Sequence, residues 1–326
     1  MINWGIIGCG EVTEVKSGPA FSKVPGSRLV AVMRRNAELA ADYALRHSVP
    51  KWYADATALI DDPEVNAIYI ATPPSSHEAY ALQAIAAGKP VYLEKPMTPD
   101  ALAAQRVAAA AAHAGVKLTV AHYRRAQPFY QKLKELISEQ AIGKVQLIHL
   151  TYSRHMLSAA QLAQPRNAWR VDPAIAGGGL FHDLAPHQLD ILYHLFGDAS
   201  AVQGMALQQA GIYAAPDLVS GSIAWPQQIL FTGTWNFNLP ASQAQRDECS
   251  IIGSTGEIRF SFFEQAPLRL IKNGEVAEFV FPPLLHVQEP MIRQVVEYFQ
   301  GKGNNPCTAQ EGARVMQWID QLAAIH

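Results

Sequence analysis

The chain has 326 residues, 49 % of them apolar and only 17 % charged, and carries a formal net charge of −2. That length allows two domains with a substantial core, and that balance excludes a disordered chain and offers no basic footprint for nucleic acid. A charge fraction below the roughly 25 % of average globular proteins also implies that partner subunits cover part of the surface.

The N-terminal segment MINWGIIG enters directly as an apolar strand, without the basic region and cleavage site of a leader. No run approaches the ~18 apolar residues of a membrane span, so the expected location is the cytoplasm, with no membrane partner. Cys9, Cys249 and Cys307 lie far apart and form no CxxC, which points to neither a disulfide framework nor a thiolate metal site.

In chain order, WGIIG (4–8), LVAVM (29–33), AIYIA (67–71), PVYLE (90–94) and KLTVA (117–121) read as buried strands. Helical stretches at 77–88 and 99–115 lie among them, the latter closed by Gly115. Strands alternating with helices imply βαβ units and a parallel sheet covered on both faces. After about residue 122 the runs lengthen and alternate: VQLIHLTYS (145–153), ILFTGTWNFNL (229–239), ECSIIGSTGEIRFSFF (248–263) and LRLIKNGEVAEFVF (268–281). Asn273-Gly274 predicts a type I′ hairpin. Helices are expected at 126–138, near 184–196, at 287–300 and at 309–325. The expected class is α/β: a doubly wound Rossmann domain over 1–121, then an α+β domain over 122–326 with a large open, mostly antiparallel sheet.

Gly8-Cys9-Gly10 sits between the first strand and a helix, where one glycine allows a tight turn and the next lets a pyrophosphate approach the backbone. Thr13 stands where GxGxxG would place Gly or Ala, which predicts slightly looser helix–strand packing, and Gly18-Pro19 predicts a short or broken first helix. An NAD site ends its second strand with a carboxylate for the ribose 2′-hydroxyl. Here positions 33–36 are Met, Arg, Arg and Asn. Guanidinium groups pair with phosphate oxygens, so the expected cofactor is NADP(H) rather than NAD(H), read by Arg34 and Arg35. The alternative is a pair of solvated loop arginines.

Two clusters carry chemistry. IATPPSSHEAY (70–80) and YLEKP (92–96) end neighbouring strands, so Thr72, Pro73, Glu94 and Lys95 face the nicotinamide half of a dinucleotide, with His77 starting a helix close by. GGGLFHDLAPHQLDILYHLFG (177–197) spaces Asp183 and His187 four apart, on one helical face. In the other reading, Pro186 fits only a first turn and Asp183 is an N-cap. His182, Asp190 and His194 lie nearby, but their spacing is no recognised ligand set, and no metal is expected.

The strand–GxG start, the TPP…H element, the EKP tripeptide and the GGG…D…H segment, in this order, resemble the glucose–fructose oxidoreductase/inositol dehydrogenase family (Gfo/Idh/MocA) over essentially the whole chain. The resemblance implies hydride transfer between a nicotinamide and a carbinol or carbonyl carbon of a sugar, sugar-derived ketone or polyol. It implies a homodimer or homotetramer formed through the C-terminal sheet, and a cis Lys95-Pro96 bond. It makes Lys95, Asp183 and His187 the catalytic set, and it places Arg124 and Arg170 where the family lines its substrate pocket. The residue chemistry agrees: histidine is the side-chain type whose ordinary range lies nearest neutrality, so His187 suits proton transfer, while Lys95 can stabilise charge on the reacting oxygen. The alternatives are an NAD(P)-using glycosidase or epimerase of the same fold, and a non-catalytic NADP(H)-sensing regulator.

Overall fold

A computed structural model describes residues 1–324. It divides into two compact units: Met1–Gln127 with Leu284–Met316, and Pro128–Pro283 with the residues from Gln317 onward. The division therefore does not fall at a single point near residue 122, because the segment 284–316 packs with the N-terminal part.

In the first unit, strands β1 (Ile2–Ile7), β2 (Ser27–Met33), β3 (Lys51–Tyr53), β4 (Ala67–Ile70), β5 (Val91–Leu93) and β6 (Leu118–Val120) form a parallel sheet. Their order is β3-β2-β1-β4-β5-β6, so the chain reverses direction of travel between β1 and β4, where such sheets open a crevice. β4 and β5 are buried at every position, which explains their unbroken apolar runs. Asn36, Asp55 and Asp100 cap three of the helices through their side chains. The first helical stretch is broken as expected, into Glu11–Val15 and Ala20–Lys23. An aromatic cluster fills the core: Trp4 lies 4.8 Å from Phe21 and 5.5 Å from Phe299, and Tyr69 stacks on Tyr92 at 5.2 Å. Phe299 explains why 284–316 joins this unit. The helix Glu289–Phe299 buries Met291, Ile292, Val295, Val296 and Phe299, an apolar stripe that needs a partner surface.

In the second unit, eight strands run β7 (Val145–His155), β8 (Ala201–Leu207), β9 (Leu218–Ala224), β10 (Leu230–Leu239), β11 (Arg246–Gly253), β12 (Glu257–Phe260), β13 (Leu268–Lys272) and β14 (Glu275–Phe279). They assemble as β14-β13-β12-β11-β7-β10-β9-β8. Only the β7–β10 pair is parallel; the others are antiparallel. Asn273 and Gly274 both take positive φ, 54° and 83°, as the expected type I′ turn requires. β10 alternates in burial, with Phe231, Trp235 and Phe237 turned inward. The helix Gly179–Phe196 lies on this face: Phe181 meets Trp235 edge-on at 5.0 Å, and Trp235 Nε1 donates to Gln188 Oε1 at 2.6 Å. Among the described residues no helix is long and apolar enough to cross a membrane.

Candidate active site

In the first unit the glycine turn is tied to the end of β2. The amides of Gly8 and Cys9 both donate to the Met33 carbonyl, at 2.9 and 3.1 Å. Gly8 has φ +95°, and a Cβ there would lie 2.7 Å from Thr72 Cγ2 and 2.9 Å from the Ala71 backbone. A Cβ on Gly10 would instead meet nothing nearer than 3.9 Å, so the backbone is open on that side and fits an approaching diphosphate. Thr13 does not loosen the packing. It is fully buried, its hydroxyl donates to the Gly10 carbonyl at 2.8 Å, and its carbonyl accepts from Tyr43 at 2.8 Å. The room comes from Gly18, where a Cβ would lie 2.2 Å from the Thr13 carbonyl oxygen.

Arg34 and Arg35 follow β2 and are exposed. Among the described residues neither guanidinium takes part in a side-chain hydrogen bond or ion pair, in contrast to Arg46, which binds Glu14 and Asp42. Burial pushes the Cys9 thiol up to about 11, and the charge of Arg34 pulls against that shift.

The strand-end loops are locked by His77 and Glu94. His77, 1 % exposed, sets Nε2 against the Thr72 carbonyl at 2.7 Å and Nδ1 against those of Pro96 and Met97 at 3.0 and 3.3 Å. Burial pushes its pKa below the usual histidine range, although the carbonyls favour the protonated ring. His77 thus joins the TPP loop to the EKP loop. Glu94 is also internal: Oε1 accepts from Tyr69 at 2.6 Å and from Gln288 at 2.5 Å, and Oε2 accepts from the Lys95 amide at 3.0 Å. Burial, then the Glu94 charge, holds the Tyr69 and Tyr92 phenols well above their usual range. Lys95 is half-buried, and its bond to Pro96 is cis, as the family resemblance implied. Sequence reasoning missed Tyr69 and Gln288; a tyrosine one residue before the TPP strand end was the only local signal for the first. Arg125 is an internal residue, 3 % exposed and paired with Glu311 at 2.9 Å. Arg124 is partly buried, with its guanidinium 5.9 Å from the Tyr123 ring centre.

In the second unit, Asp183 and His187 lie one turn apart inside the helix Gly179–Phe196. The N-cap reading of Asp183 is corrected: Gly178 is the N-cap, and Pro186 is accommodated within the helix. The helix starts earlier than expected because the glycines let it. A Cβ on Gly178 would fall 2.0 Å from His182 Nδ1, so that ring fits only over a bare backbone. Arg170 Nε donates to Asp183 Oδ2 at 3.1 Å; its Nη1 bonds the Arg166 carbonyl, and its guanidinium stacks 4.7 Å from the Trp169 ring centre. Arg170 therefore braces Asp183. His187 is buried, and Phe263 meets its ring edge-on at 5.7 Å. The other histidines of this helix turn to different neighbours, His182 to Asp320 at 3.7 Å and His194 to the Lys134 ammonium at 3.0 Å.

Known protein families match both halves of the chain. The family model described as "Oxidoreductase family, NAD-binding Rossmann fold" matches residues 2–122, and the GFO/IDH/MocA C-terminal domain matches 130–259. The chain is 44 % identical to Oxidoreductase P35 of Formosa agariphila, over 98 % of this chain and 97 % of the relative. It is 29 % identical to the 1,5-anhydro-D-fructose reductase of Ensifer adhaerens, over 65 % of this chain and 62 % of that one. Its fold is similar to that of levoglucosan dehydrogenase in complex with NADH and levoglucosan, with a TM-score of 0.84 at 22 % identity over 98 % and 96 % of the chains. With a glycine turn open to a diphosphate in one unit and an Asp–His helix in the other, the chain belongs to the Gfo/Idh/MocA family and is an NAD(P)-dependent oxidoreductase acting on CH–OH groups.

Proposed function

We propose that the protein is an NADP(H)-dependent oxidoreductase that moves hydride between the nicotinamide and a carbinol or carbonyl carbon of a sugar, sugar-derived ketone or polyol. One observation carries the cofactor preference: the second strand ends in two exposed guanidiniums, not engaged by other side chains among the described residues, where an NAD site would hold a carboxylate. A guanidinium fork matches the oxygens of a 2′-phosphate. The levoglucosan enzyme was captured with NADH, so kinship alone does not decide between the two coenzymes. The sugar class rests on the names of the relatives, an anhydrofructose reductase and a levoglucosan dehydrogenase.

When bound, the nicotinamide gives or takes the hydride. Lys95 would hydrogen-bond the reacting oxygen and stabilise negative charge developing there. His187 would give that oxygen a proton during reduction and remove it during oxidation. Asp183, braced by Arg170, would hold a substrate hydroxyl or fix a catalytic partner. Arg124 would contact the substrate, while Arg170 would act through Asp183. His77 and Glu94 would serve the cofactor by fixing the loops that carry Thr72, Pro73 and Lys95. The second unit would also carry oligomerisation: Met205 and Leu207 are exposed on the edge strand β8 and Leu230 at the start of the inner strand β10, as a homodimer or homotetramer interface would need.

The test is the double substitution Arg34→Ala/Arg35→Ala, titrated with NADPH and with NADH. Each charge-assisted bond is worth about 1.5–3 kcal/mol, so the preference for NADPH should fall about ten-fold or more. An unchanged ratio rejects the assignment. Screening anhydrosugars, osones, inositols and diols by nicotinamide absorbance tests the reaction. Substrate consumption without net absorbance change would favour the glycosidase or epimerase reading.

A further inference from the structure

We propose that Asp247 is a positioning residue for His187, acting through the loop that carries Phe263. Asp247 lies on β11, opposite Tyr152 of β7, and is 2 % exposed. Its carboxylate accepts three successive backbone amides: Phe262 on Oδ1 at 3.1 Å, then Phe263 and Glu264 on Oδ2 at 2.5 and 2.9 Å. No cation pairs with it among the described residues, so amide dipoles compensate the buried charge. These amides lie beyond the end of β12 at Phe260, where no strand partner would satisfy them.

The same loop has a second anchor. Tyr130 donates its hydroxyl to the Phe262 carbonyl at 3.1 Å and stacks on the Phe262 ring at 6.0 Å. With its backbone fixed by Asp247 and Tyr130, the loop holds the Phe263 ring 5.1 Å from Tyr152 and 5.7 Å from His187. A histidine ring rotates easily about its outer torsion, and a half-turn puts a carbon in the place of each of its two nitrogens. A proton carrier must present one of them. The Phe263 edge, at 77° to the imidazole plane, restricts that rotation. A carboxylate suits the clamp because it only accepts; an asparagine would turn N–H groups toward amide N–H groups.

The catalytic meaning of this device rests on the reading of His187 as the proton carrier, and the experiment separates the two. Heteronuclear NMR of the imidazole Cε1–H groups is recorded on the full chain with NADPH added. The His187 cross-peak is assigned by its loss in His187→Gln. One sharp peak is expected in the unaltered protein and in Phe263→Tyr. Asp247→Asn and Phe263→Leu should each broaden or split it, and the double variant should do no more than either alone. If Asp247→Asn does not fold, Glu264→Pro deletes one amide donor and leaves the carboxylate in place, and the same broadening is expected. A sharp, unmoved peak in a folded clamp variant, or purely additive effects, overturns the proposal. Unchanged turnover in His187→Gln would instead overturn the proton-carrier reading and leave these spectra as expected.

Discussion

Gln288 donates from Nε2 to Glu94 Oε1 at 2.5 Å, joining residues 194 positions apart, while its own Oε1 accepts from Tyr92 at 3.0 Å. All three side chains are buried. Gln288→Leu would strip a donor from a buried carboxylate and an acceptor from a buried phenol. The expected loss is about 2–3 kcal/mol, read as a lower urea midpoint with an unchanged slope.

The two glycines of the turn should behave oppositely. Gly8→Ala meets both a positive φ and the Thr72 and Ala71 atoms within 3 Å, and should cost about 2–4 kcal/mol. Gly10→Ala has an extended backbone and open space. It should keep its melting temperature and lose coenzyme affinity, because the new methyl occupies the side the diphosphate would approach. Calorimetry and coenzyme titration of both variants check the contrast.

Glu14 gives the acid limb of stability a testable site. The Arg46 fork, helped by His47 and opposed by burial, holds its carboxyl at about 2, against 4.5 for an ordinary glutamate. A carboxyl with a lowered folded pKa stabilises fully above its unfolded pKa, and that contribution drains away as pH falls through the folded value. The advantage of the unaltered protein over Glu14→Gln should therefore be greatest above pH 4.5 and vanish toward pH 2. Its size is modest because the pair is partly exposed. Urea unfolding across that range measures it.

All three cysteines are buried. Burial pushes Cys9 up to about 11 and Cys249 further still. A thiol reagent at neutral pH should label none of them in the folded protein and all of them in denaturant. Rapid labelling of the native chain would contradict this packing.

What was legible in the sequence was local. The buried strands, the GxG turn, the EKP loop and the Asn273-Gly274 hairpin each signal themselves within a few residues. The strands Lys51–Tyr53, Ala201–Leu207 and Leu218–Ala224 passed unread: the first is only three residues long, and the other two are diluted by Gly204, Gly221 and serines. Pro186 misplaced the helix start because an internal proline argues against a helix that tertiary packing nonetheless sustains. The partnerships of Gln288 with Glu94 and of Arg170 with Asp183 depend on how the chain returns, which no local pattern encodes.

The return of residues 284–316 also bears on biosynthesis. A ribosome delivers the parallel sheet first, yet Gln288 and Phe299 emerge only after all eight strands of the second unit's sheet have been made. Until then the nascent sheet must wait with Glu94 and Trp4 lacking those contacts. A gene cut after residue 127 would thus encode a half-finished coenzyme module rather than a portable one.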